Sequence, residues 1–121
     1  EAFQLRDDIL GVFGDPEITG KPAGDDLREG KRTVLIAIAT ERADPSQLRS
    51  IHELLGDAHL NLNGIDTLRA IIRDTGSLDF TENLIADLLE QSLAALANAP
   101  LDPAAVISLT QLAHNAVQRN L

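Results

Sequence analysis

With 121 residues, 44% of them hydrophobic, the chain can bury the core of one compact domain, and its lack of Cys excludes disulfides, thiol chemistry and Cys-ligated metals. A formal charge of −9 at pH 7 argues against nucleic acid and against an anionic membrane surface as partners, because no basic stripe exists to neutralise phosphates. No apolar run reaches the roughly 20 residues of a membrane span and no signal peptide is visible, so a soluble, cytoplasmic chain is expected.

The three Phe, with no Trp or Tyr, leave the packing to Leu, Ile, Val and Ala, and a composition thin in strand formers predicts an all-α fold. A first helix is predicted from before Glu1 to about Phe13, stopped by Gly14-Asp15-Pro16. Read at about 100° per residue, Gln4, Asp7, Asp8 and Gly11 share roughly a third of its circumference. Phe3, Leu5, Ile9, Leu10, Val12 and Phe13 fill nearly all the rest, and Arg6 is the one polar intruder. A surface helix shows the reverse pattern, so this one is expected to be buried almost all round, with a polar slot. Two adjacent carboxylates in such a slot are costly unless paired, which calls for a divalent metal and basic side chains.

Residues 15–30 read as one long loop containing Pro16, Gly20, Pro22, Gly24 and Gly30. Lys21, Arg28, Lys31 and Arg32 cluster there or just beyond it, in a chain with only 10 Lys and Arg, and Asp25, Asp26 and Glu29 sit among them. The loop therefore reads as a mixed-charge lid. A second helix is predicted over 32–41, where Val34-Leu35-Ile36-Ala37-Ile38-Ala39 could pass for a buried strand by periodicity alone. Asp44-Pro45-Ser46-Gln47 opens a third helix, with Asp44 as N-cap and Pro45 at its first position. Helix four is expected over 64–75, with Gly76 as its C-cap. Helix five is expected over 79–98, with Leu84, Leu88, Leu89, Leu93 and Leu96 on one face. Helix six starts at Leu101-Asp102-Pro103 and carries Val106, Leu109, Leu112 and Val117. That makes about six helices and one long loop.

The opening third carries a family likeness. Phe3-Gln4-x-x-Asp7-Asp8-x-x-Gly11, then Gly20-Lys21-Pro22, then Asp26-Leu27-Arg28-x-Gly30-Lys31-x-Thr33, resembles the second aspartate-rich region of trans-isoprenyl diphosphate synthases, the polyprenyl synthetase family. The likeness is greatest to geranylgeranyl and polyprenyl enzymes of bacteria. Beyond Arg42 the resemblance is only that of generic helices. At Gly11, one turn past Asp7, the fullest form of the motif has a third Asp. The chain opens inside the motif without an N-cap or initiator Met, so it is read as one incomplete domain, 1–121, the C-terminal part of a longer all-helical isoprenoid synthase bundle. Residues 1–42 would form the active-site helix, lid loop and following helix, and 43–121 the scaffold.

The resemblance implies a prenyltransferase that condenses isopentenyl diphosphate head-to-tail onto an allylic diphosphate, releasing pyrophosphate and a proton. It implies Mg²⁺ held by Asp7 and Asp8, with Asp26 supporting the metal through water. Lys21 and Lys31 would hold the allylic diphosphate, and Phe3 and Gln4 would face the reacting carbons. Asp7, Asp8 and Lys21 would thus carry the chemistry, in a homodimer, and the segment by itself would be inactive. The alternative is a non-catalytic helical subunit that binds a prenyl diphosphate or regulates such an enzyme, and the Gly at position 11 gives it weight. His52, His59 and His114 lack the spacing of a zinc helix. Asp44 and Asp102 precede Pro at helix starts, where capping accounts for them.

Overall fold

The computed structural model describes residues 2–20, 22–98 and 102–117. Among them the secondary structure is entirely helical: α1 (Ala2–Phe13), α2 (Pro16–Thr19), α3 (Asp25–Glu29), α4 (Val34–Arg42), α5 (Pro45–Leu54), α6 (Leu62–Asp74), α7 (Ser77–Ala97) and α8 (Pro103–Val117). The all-α expectation holds, but eight helices replace six because the expected loop contains α2 and α3. Asp15 starts α2 by accepting the Glu17 amide on its side chain, with Pro16 at the first helical position, and Gly20 ends it one turn later. Four and five residues are too few to leave a periodic signal. Among the described residues, no helix is long and apolar enough to cross a membrane.

Most expected starts and stops are in place. The Thr33 hydroxyl accepts the Ile36 amide at the head of α4, and Asp44 and Gln47 form a reciprocal capping box on α5. Asn61 caps α6. Gly76 is not the C-cap of α6, a place taken by Thr75; with φ +79° it is instead the N-cap of α7. A left-handed residue between two helices can end one or begin the next, and here the turn is tight enough that it begins the next. The proposed start of the last helix at Leu101 lies outside the described residues.

α1 is the centre of the packing and touches α3, α4, α7 and α8. Ile9 and Val12 on α1, Leu27, Leu35, Ile65, Leu68 and Ile72 are fully buried together, each worth about 1.5–3 kcal/mol of transfer free energy. The helix is less enclosed than its sequence suggests, because Phe3 is 50% exposed and Gln4 and Asp7 face outward. Its buried strip is Leu5, Asp8, Ile9 and Val12. Leu109 and Leu112 on α8 point outward. Val106, Ala113 and Val117 lie within about 40° of one another around that helix and make its inner face, which turns Leu109 and Leu112 away.

Two arginines tie α1 down. Arg6 reaches across to α8, donating from Nε to the Val117 carbonyl at 2.7 Å, and pairs with Glu82 of α7 at 3.3 Å. At the other end Arg69 of α6 donates from Nε to the Val12 carbonyl at 2.6 Å and lies over the Phe13 ring, as does Arg73. The α1 C-terminus is thereby capped by a cation, as the helix dipole favours. Burial lowers the Arg69 pKa, an effect opposed by Asp66. Arg69→Met keeps the bulk but orphans the Val12 carbonyl, so urea unfolding of the complete protein should show a loss of about 1–3 kcal/mol; an unchanged midpoint would contradict this capping role.

Candidate functional site

The site lies where α1 meets α3. Gly30 closes α3 in the left-handed conformation, φ +72°, and its Cα side faces Gly56, where an added Cβ would stand 3.0 Å from the Gly56 Cα. The backbones approach this closely because Gly30 lacks a side chain. The Gly56 amide donates to the Leu27 carbonyl at 2.8 Å. Arg28 completes the anchorage, donating to the carbonyls of Leu60 at 3.0 Å and Ala23 at 2.7 Å. Arg28 therefore serves the backbone and is not a free lid charge, a role that sequence alone did not distinguish.

The turn at Gly30 brings Lys31 back over its own helix, with the Lys31 amide donating to the Asp26 carbonyl at 3.0 Å. From there the Lys31 ammonium lies 3.3 Å from Asp8 Oδ1 and 3.8 Å from Asp26 Oδ2. Gln4, one turn before Asp8, donates its amide to the same Asp8 oxygen at 3.0 Å. Asp8 and Asp26 are only 6% and 7% exposed. Among the described residues, two nearly buried carboxylates thus share one half-exposed ammonium, a balance that is negative. The Lys31 pKa is raised above the ordinary lysine value, first by the Asp26 charge and then by the hydrogen bond to Asp8.

The structure thus brings Gln4, Asp8, Asp26 and Lys31 together. Asp7 stands on the exposed flank of α1 next to Asp8. Phe3 lines a cleft of about 410 Å³ between α1, α7 and α8, with Ala2, Leu88, Leu89, Ala113 and Val117. Lys21 lies outside the described residues. One grouping was not singled out from sequence: Asp25, Asp26 and Glu29 offer carboxylate oxygens within 4.8 Å of one another. Their i, i+1, i+4 spacing would have suggested it, had the segment been read as a helix. All of these acids offer hard oxygen donors, the ligand type that suits Mg²⁺.

Residues 1–72 match the polyprenyl synthetase family model. A geranylfarnesyl diphosphate synthase from Aeropyrum pernix is 40% identical over 99 residues, covering 82% of this chain and 30% of the relative. The octaprenyl diphosphate synthase of Escherichia coli (strain K12) is 35% identical over 122 residues, or 98% and 36% of the two chains. Among solved structures, a geranylgeranyl pyrophosphate synthase from Corynebacterium glutamicum, complexed with isoprenyl diphosphate and magnesium, matches with a TM-score of 0.92 and 44% identity over 98% of this chain and 34% of its own. A polyprenyl synthase from Caulobacter crescentus CB15, complexed with calcium and isoprenyl diphosphate, gives 0.84 and 37% over 99% and 36%. The chain spans about a third of the length of these relatives. On the family match over α1 to α6 and the shared helical fold, this chain belongs to the polyprenyl synthetase family.

Proposed function

We propose that the complete protein is a chain-elongating trans-prenyltransferase that condenses isopentenyl diphosphate with an allylic diphosphate and releases pyrophosphate, and that this chain supplies one acidic half of its active site. The observation that carries this reading is the excess of negative charge at Asp8 and Asp26, two nearly buried carboxylates that among the described residues share the one Lys31 ammonium. Such a donor set fits Mg²⁺, a hard ion commonly bound through one or two carboxylates together with substrate phosphates. When bound, Mg²⁺ supplies charge neutralisation for the departing diphosphate.

In this reading Asp7 and Asp8 hold the metal directly and Asp26 supports it through water. Gln4 fixes the rotamer of Asp8 through its amide. Lys31 adds a compact positive charge toward the allylic diphosphate, and Lys21 a second. Phe3, half-exposed and one turn from Asp7, offers a ring face to the reacting carbons. The aliphatic helices behind the site keep water from the developing cation. Homodimer assembly and a cytoplasmic location belong to the same reading.

Incorporation of radiolabelled isopentenyl diphosphate into extractable prenyl product by the complete protein, with an allylic primer and Mg²⁺, tests the function; absence of product would sink it and favour a non-catalytic subunit. Lys21→Ala should raise KM for the allylic diphosphate by about tenfold and leave that for isopentenyl diphosphate nearly unchanged. Equal changes in both would remove Lys21 from this role.

A further inference from the structure

Gly11 lies on α1 one turn beyond Asp7 and Asp8, on the side that faces α3. A Cβ added there would stand 2.0 Å from Asp26 Oδ2, 2.4 Å from its Cγ and 3.0 Å from Oδ1. The Asp26 carboxylate therefore fills the space that any side chain at position 11 would need. The blocking atoms are the end of a short side chain whose contacts oppose its swinging aside. Asp26 is 7% exposed, its carboxylate is held by the Lys31 ammonium, and its carbonyl accepts the Lys31 and Gly30 amides. Nor does Gly11 serve the helix itself, since it has no positive φ and Gly is a poor helix former.

Resting on the proposed metal-dependent function, we infer that Gly11 is a positioning residue: its missing side chain lets α3 deliver Asp26 onto α1. A third carboxylate then stands in line with Asp7 and Asp8, and the set is completed across two elements. The proposed cation site is accordingly sensitive to the volume at position 11 as well as to the charge at position 26.

Mn²⁺ binding to the metal-free complete protein, followed by electron paramagnetic resonance, reads this without turnover. Gly11→Ala and Asp26→Ala should each weaken Mn²⁺ binding by about tenfold or more. Because both act on one carboxylate, Gly11→Ala/Asp26→Ala should be no weaker than Asp26→Ala. In Gly11→Asp/Asp26→Ala the space is cleared and the acid is returned to α1, so binding should recover to within about threefold of the parent. A folding defect would not be rescued in this way. Parent-like binding by Gly11→Ala, or no recovery in the swap, overturns the inference. Asp8→Asn separates the two levels of the argument: if it also binds Mn²⁺ like the parent, the metal reading itself fails; if it binds weakly while Gly11→Ala does not, only the inference fails.

Discussion

Asp8→Asn in the complete protein should lose about 10²–10³-fold in kcat while Tm holds or rises. The two effects part because the side chain is built for charge and not for stability. Asn keeps the shape and an oxygen that can still accept from Gln4 and Lys31, so the local hydrogen bonds survive. The substitution also removes one of the two nearly buried carboxylates competing for a single ammonium, which relieves repulsion in a poorly solvated place. On the proposed reading, metal-assisted departure of diphosphate by contrast loses a direct ligand. Parallel assays of prenyl transfer and thermal unfolding check this. A fall in Tm matching the fall in activity would mean Asp8 is structural, and activity within about threefold of the parent would remove it from the reaction.

Lys31→Gln carries the opposite signature. It strips the cation from both acids, and breaking a buried ion pair costs about 3–5 kcal/mol. The Lys31 side chain is 44% exposed, so solvent screening reduces the expected loss to about 1–2 kcal/mol. Mg²⁺ should offset part of this, giving the variant a larger Tm increase on Mg²⁺ addition than the parent shows; equal increases would mean that metal and ammonium do not answer the same charges. KM for the allylic diphosphate should rise by about tenfold. The pH dependence follows from the raised pKa. A lysine whose pKa rises on folding stabilises fully below its ordinary value of 10.5 and loses that contribution as pH climbs through the raised one. The gap in unfolding midpoint between parent and variant should therefore persist through the neutral range and close only at strongly alkaline pH.

The acids of α1 stood out in sequence because they share the one polar arc of an otherwise apolar helix, whereas Lys31 stood out only through its place in the motif that resembles the family. The α5 cap was legible because Asp44, Pro45 and Gln47 fall within four consecutive residues and their geometry follows from their chemistry. Other features depend on what lies across the fold. Arg6 looked like an intruder on a greasy helix until the Val117 carbonyl and Glu82 gave it partners 111 and 76 residues away. Arg28 looked like a lid charge, yet it binds the carbonyl of Leu60. The departure at Gly11 read as a lost acid, since nothing in the order of residues reveals that Asp26 occupies that volume. α3 itself is not legible because five residues between two glycines carry no period, and the outward placement of Leu109 and Leu112 depends on how much of α8 its neighbours cover.

The two arginine tethers on α1 have a mechanical consequence. With Arg6 holding one end to the Val117 carbonyl and Arg69 holding the other through Val12, this helix behaves as the fixed jaw of a vice. The opposing jaw, α3, is pinned from its far side, where the Gly56 amide holds the Leu27 carbonyl and Arg28 holds those of Leu60 and Ala23. With both jaws set, an ion of larger radius offered to the proposed site should bind more weakly than Mg²⁺, and amide-hydrogen exchange along α1 should stay as it was.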